Sequence, residues 1–598
     1  MNRRGQHSSS GDTYAADLLR LHSPTHYGDG LNIPVHVGRV KEARQLVHDS
    51  GIPAMLTRWR KDDGADPAAG GRPALVKDEQ ILVGMVILAL EHQPLYITRL
   101  RALFCHRLTK KAARELGLDW NTDRATDAKR RPTWDEHLNQ ERVYYDRLWR
   151  AAHRLLAVVD PYPDTPKRRR LVRKDFEQLK AERDQELVVT RLRRLRQLSN
   201  ALIWASTQGL PESLQEGWDG TVVVDGTVVV AANRGTSKKA SITSSEPDAS
   251  WYVRNHDNRD GNPPNTTYKW GWDLTIAAMA APGPCDTFPR LITGMSMDKA
   301  GHRPAENVLT SMSNLMSSVL PRGYFVGDRL YYPMRDPEEL QIPIRLAGYR
   351  IVGSLIKGTT GIQAAYGGAL LIDGNWYSPC MPAGLQDVRT RYGNDEIDAE
   401  ELQAAIQRRA KFLLRPKEAP RKNGTQRFVC PAQGPSPMVA CPLRPNRIDG
   451  RRRLTVIPKR DIPDHPPTIC TNACNMSIPI EAGAKHAQQG PQVGSPDWYR
   501  AYTHPRETIE SRNAELKSGR SENLGDNTRR AMGGIAAQTL LVAFLIVSFN
   551  VRTIQNFSQR ANRSDPDARR QRTRPSTKDT IPAQLIAETA LAPPDAAA

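Results

Sequence analysis

Val222-Val223-Val224-Asp225-Gly226-Thr227-Val228-Val229-Val230 is the stretch on which the reading of this chain turns. A continuous β-branched run of that length predicts a strand buried on both faces, as in a sheet covered by helices on either side. An ionised Asp225 in its middle costs several kcal/mol unless a cation or a hydrogen-bond network compensates it. Asp225 is therefore read as a metal ligand.

Two further stretches carry acids in a related way. Tyr324-Phe325-Val326-Gly327-Asp328 predicts a second strand ending on a carboxylate. Arg506, Glu510 and Lys517 follow, with three and six residues between them. On a helix they fall at about 0°, 40° and 20°, within one narrow stripe. A carboxylate flanked by two cations suits a metal ligand beside a phosphate-bearing strand. The plain alternative is a surface ion pair four residues apart, worth a few tenths of a kcal/mol. Asp273, after Trp270-Gly271-Trp272, and Asp298, shortly before His302, compete for these roles as supporting or structural acids.

The 598 residues allow several domains, and 85 Lys and Arg against 65 Asp and Glu leave a net charge of +20. Such an excess points to a polyanionic partner, nucleic acid before an anionic membrane surface. Seven cysteines in so long a chain form no disulfide framework and argue for a reducing compartment. The polar stretch Met1 to Asp12 excludes a signal peptide at that position. Ala531 to Phe549 approaches the length of a membrane span, but Gln538, Thr539 and Ser548 within it favour a helix buried in a large core.

Apolar spacing divides the chain as follows. Residues 1–35 are polar and read as disordered. Residues 36–215 form a helical, DNA-binding region, with helices near Val40–Asp49, Lys77–Glu91 and Ile97–Leu108, then a short helix stopped at Gly117. A longer helical stretch spans Thr165 to Thr207, its cationic face carrying Arg193 and Arg194 as candidate phosphate contacts. Residues 216–354 hold an α/β core, with strands at Thr221–Ala232, Trp270–Ala280, Arg290–Met295 and Tyr324–Val326. A helix is expected near Ala305–Leu320. Residues 355–495 read as a β-rich insertion, 496–557 as helices that return to the core, and 558–598 as a charged, disordered tail.

An Asp within a strand, an Asp after a later strand, a long insertion and then Arg506, Glu510 and Lys517 together resemble the DDE transposases of bacterial insertion sequences. Phe325-Val326-Gly327-Asp328-Arg329-Leu330-Tyr331-Tyr332 is similar to the family's second-Asp motif, and Trp376-Tyr377-Ser378-Pro379 to a segment of its β-rich insertion. The family's signature places a Tyr three residues before the Arg; here Thr503 stands there, next to Tyr502.

The resemblance implies an RNase H-like mixed sheet with flanking helices over about 220–330 and 500–556, interrupted by the insertion. It implies that Asp225, Asp328 and Glu510 hold two Mg²⁺ ions, with Mn²⁺ as a substitute, for cleavage and strand transfer. Arg506 and Lys517 would grip phosphates, and Trp376 would contact DNA. The partners it implies are double-stranded DNA, as terminal inverted repeats and as target, and a second copy of the chain. The setting would be the bacterial cytoplasm, at the nucleoid. The alternative is a catalytically inactive, transposase-derived DNA-binding protein. Separately, Cys430, Cys441, Cys470 and Cys474 crowd the insertion and form a candidate structural zinc site, with buried thiols as the plain reading.

Overall fold

The computed structural model describes residues 33–65, 74–118, 134–167, 169–210, 217–255, 266–285, 287–434, 436–444, 454–471, 475–563 and 581–592. The expectations for 1–32, for Cys474 and for most of the tail lie outside them.

A mixed six-stranded sheet organises the α/β fold. The valine run forms its central strand, β1 (Val222–Val230). The others are β2 (Ser250–Asn255), β3 (Thr266–Met279), β4 (Ile292–Asp298), β5 (Tyr324–Gly327) and β6 (Arg350–Val352). Antiparallel β3 lies on one side of β1 and parallel β5 on the other. Beyond β5 lies parallel β6, and the outer side of β3 carries β4 and β2.

Strand alternation sends odd and even residues of β1 to opposite faces. Val223 and Val229 pack with Leu274 and Ile276 against helices that the N-terminal and C-terminal regions both supply. The N-terminal region holds the helices α1 (Val37–Asp49), α2 (Ile52–Asp62), α3 (Asp78–Leu90), α4 (Ile97–Ala102), α5 (Lys110–Glu115), α6 (Trp134–Ala157), α7 (Arg173–Ala181) and α8 (Gln185–Thr207). Val222 and Val224 face the other way, onto Val308, Met312 and Leu315 of α9 (Pro304–Ser317). The two-faced burial expected of the run is thus observed.

The region 36–215 does not stand apart as a separate body. Its helix α3 is buried from Gln80 to Ala89 and packs on the long C-terminal helix. The helical stretch expected from Thr165 to Thr207 starts only at Arg173 and is broken again at 182–184, where Asp184 caps α8 by accepting from the Glu186 and Leu187 amides.

The insertion folds around its own apolar core. The helix α10 (Gln341–Leu346) comes just before it, and the insertion contains α11 (Val388–Gly393), α12 (Ala399–Arg409) and α13 (Thr468–Thr471). Its strands are β7 (Leu355–Ile356), β8 (Ile362–Tyr366), β9 (Ala369–Ile372), β10 (Asn375–Tyr377), β11 (Arg415–Pro416), β12 (Gln426–Val429), β13 (Val439–Ala440), β14 (Thr455–Val456) and β15 (Asn475–Ile478). The chain then returns through α14 (Pro496–Lys517) and α15 (Ile535–Arg563). By length and composition α15 could cross a membrane, yet 89% of its most apolar window is buried inside the protein. Part of the tail departs from its expected disorder. The helix α16 (Ala583–Ala590) buries Ala587 in the insertion core, and β16 (Leu591–Ala592) pairs with β7.

Asparagine and glutamine residues cap β4 at one rim of the sheet and β6 at the other. On β4, a bulge at Thr293 lets Ile292 and Met295 both point their backbone groups outward. Asn550 of α15 accepts from Ile292 N (3.0 Å) and donates to Ile292 O (2.8 Å). Asn200 of α8 does the same for Met295, at 2.8 and 2.9 Å, and Asn314 takes the Thr293 carbonyl at 3.1 Å. On β6, Gln489 pairs with both backbone groups of Ile351, and Gln488 accepts from Gly353 N.

Candidate active site

Parallel pairing of β1 and β5 sets the site. Val224 lies opposite Gly327, so the next residues along the two strands are Asp225 and Asp328. Burial pushes the Asp225 carboxyl above the usual carboxylate range, and the like charge of Asp328 adds to this against the pull of Arg506. A buried carboxylate held near a second one is a place where a cation lowers the energy.

Helix α14 supplies the rest. Ser495 caps its start by accepting from Trp498 N at 3.1 Å, Pro496 opens its first turn, and Trp498, Ile509 and Leu516 anchor it in the core. One stripe of it then faces the acids. Arg506 Nη1 reaches Asp225 Oδ1 at 3.2 Å, and Asn513 Nδ2 donates to Asp225 Oδ2 at 3.0 Å. Lys517 Nζ donates to Thr227 Oγ1 on the same face of β1. Glu510 lies on the solvent side, 64% exposed, with Oε1 3.6 Å from Arg506 Nη2. Burial works against the charge on Arg506, but Asp225, Tyr502, Asp328 and Glu510 outweigh it and raise its pKa.

The structure therefore brings Asp225 and Asp328 together and leaves Glu510 one ion pair away, across Arg506. Among the described residues, no three His, Cys, Asp or Glu side chains form a set able to hold a metal ion as they stand. The donors nonetheless fit Mg²⁺, which takes carboxylate and carbonyl oxygens. Asn513 adds a buried amide oxygen, Oδ1, that has no hydrogen-bond partner. Asn513 was not singled out from sequence. Its place seven residues after Arg506 puts it on the same stripe, which is the signal that would have found it.

Other expected site residues fall elsewhere. Arg194 is buried, its Nη1 held between the two oxygens of Asp63 at 2.7 and 2.8 Å, so it has no reach to a phosphate; Arg193 beside it is exposed. Trp376 is 7% exposed within the insertion core and presents no face to DNA. Tyr502 stacks on Trp498, with its hydroxyl 3.3 Å from Ser354 Oγ, while Thr503 bonds the Tyr499 carbonyl. Asp298 is held by Arg303 at 2.8 Å and by the Lys299 amide at 2.8 Å, a structural role.

Asp273 lies opposite Val228, so its side chain leaves the sheet on the face away from α14. Burial pushes its carboxyl up to about 7, with Asp225 and Asp298 adding to the effect. Because its folded pKa lies above its unfolded one, its charge costs stability as pH rises from about 4 to about 7, at about 1.4 kcal/mol per unit. Asp273→Asn removes that cost. In EDTA, urea unfolding should find the variant more stable than wild type at pH 8 and the two equal near pH 4. Equal stability at pH 8 would contradict the assignment.

Comparison with protein-family models, with curated proteins and with solved structures returned no match to this chain.

Proposed function

We propose that the chain is a DDE-type transposase that cuts and rejoins DNA at the ends of an insertion sequence. The observation that carries this reading is the register of two parallel strands that sets Asp225 beside Asp328, beneath a helix presenting Arg506, Glu510, Asn513 and Lys517. The sheet supports it as well. The order β4, β3, β1, β5, β6, with antiparallel pairing on one side of β1 and parallel on the other, fits the RNase H-like core that the resemblance implies. A net charge of +20 suits a DNA partner.

Asp225, Asp328 and Glu510 would hold two Mg²⁺ ions, or Mn²⁺ in their place. The bound ions supply positive charge to the attacking and leaving oxygens of a phosphodiester. The chain's own residues do the positioning. Arg506 and Asn513 each fix one oxygen of Asp225, which leaves its carboxylate a single orientation. Glu510, exposed beside Arg506, would join the two aspartates by turning its side chain inward, from a helix anchored by Trp498 and Ile509. Lys517, held over β1 by Thr227, offers its ammonium to a phosphate. The DNA would be the element's terminal inverted repeats and a target duplex, gripped by a homodimer at the bacterial nucleoid.

The test is incubation of the protein with DNA carrying its own element's ends and Mg²⁺, scored for nicking at the boundary. Glu510→Gln should lower nicking by on the order of a hundredfold or more and leave DNA binding intact. Wild-type protein that binds the ends but nicks in neither Mg²⁺ nor Mn²⁺ would instead be the inactive, DNA-binding descendant.

A further inference from the structure

Four of the chain's seven cysteines meet in the core of the insertion, and they arrive from four separate elements. Cys380 follows β10, Cys430 ends β12, Cys441 ends β13 and Cys470 lies in α13. All four are buried, none more than 8% exposed. The Cys470 thiol has those of Cys380, Cys430 and Cys441 as neighbours. No disulfide joins any of these described cysteines to another.

The backbone around two of them repeats. Cys430-Pro431 and Cys441-Pro442 each open a tight turn at the end of a short strand. In the first, the Cys430 carbonyl accepts from Gln433 N at 3.0 Å, and in the second the Cys441 carbonyl accepts from Arg444 N at 2.8 Å. Arg444 then donates to the Cys470 carbonyl at 3.4 Å, tying the second turn to α13. Single buried cysteines behave as small apolar residues and need no explanation. Four of them converging from positions up to ninety residues apart, two on matched turns, do need one.

We propose that Cys380, Cys430, Cys441 and Cys470 are the ligands of a structural zinc ion that ties the insertion together. Soft thiolates select zinc among the available divalent ions, and a closed set of four is the usual structural site. Cys380 replaces Cys474 in the set expected from sequence. Among the described residues these thiols do not yet stand as a finished ligand set. Binding draws the sulfurs to about 2.3 Å from the ion, releases thiol protons to solvent and tightens the turns at 430–444. The site is independent of the transposase reading, since it lies in the insertion core and not at the carboxylates.

The experiment is metal analysis of the purified full chain, with X-ray absorption at the zinc edge to count sulfur ligands. One zinc per chain with four sulfur neighbours is expected. Cys380→Ser and Cys470→Ser should each lose the metal, whereas Cys105→Ser and Cys285→Ser should keep it. Zinc-free protein that also takes up no Co²⁺ with a thiolate charge-transfer band would overturn the proposal. A Cys380→Ser chain that keeps four-sulfur zinc while Cys474→Ser loses it would overturn the ligand set. If the serine variants do not fold, the sulfur count on wild-type protein decides alone: fewer than three sulfurs sinks the site.

Discussion

Asp225→Asn is expected to reduce Mg²⁺-dependent strand cleavage by on the order of a thousandfold or more, a loss of about 4 kcal/mol of transition-state stabilisation. Affinity for the DNA ends should change little, because the cations proposed to contact phosphates, Arg506 and Lys517, are untouched. The fold should survive as well. An amide has the same shape, it carries no charge to desolvate in a site where burial already penalises the carboxylate, and Arg506 keeps Asp328 and Glu510 nearby. Asp273→Asn is the matched control. Its side chain leaves the sheet on the opposite face, so cleavage should persist at near wild-type rate. Two buried aspartates on adjacent strands would then differ only in which face they serve. Substantial cleavage by Asp225→Asn, or its loss in Asp273→Asn with the fold intact, would remove the basis for the catalytic assignment.

Asn550→Ala should be among the most damaging substitutions for stability, costing about 3 kcal/mol. The side chain is fully buried and satisfies both the N–H and the C=O of Ile292, with Ser206 Oγ as a further partner at 2.9 Å. Truncation orphans two backbone groups away from water, each worth about 1 to 3 kcal/mol when left unpaired. Asn200→Ala should act alike on Met295. The two sites share no partner, so the double variant should lose nearly the sum of the two. Denaturant unfolding gives the three values, and a loss below about 0.5 kcal/mol in Asn550→Ala would show that water reaches β4 after all.

How much of this was legible depended on the range of the interaction. The valine run announced a two-faced strand, because strand patterning is local. The stripe of Arg506, Glu510 and Lys517 was legible through helical periodicity, and the same arithmetic would have added Asn513. What the pattern could not give was the partner on the far side. Arg194 looked like one more cation on a basic face until Asp63, more than a hundred residues earlier, was seen to hold it. Trp376 was assigned to DNA when its strand pairs with β9 and its ring is buried in the insertion core. Cys380 escaped notice because ninety residues separate it from Cys470. Asp273 and Asp225 are alike in sequence context; only knowing which face α14 covers tells them apart. The tail's composition hid an eight-residue helix whose apolar side finds a core elsewhere in the chain.

The asparagines on β4 and the glutamines on β6 leave the sheet with no row of vacant hydrogen-bonding groups at those rims. Strand-by-strand growth, the route by which exposed rims recruit neighbours into continuous ribbons or aggregates, is closed there. In the homodimer proposed above, the two copies would not join by adding strands at β4 or β6.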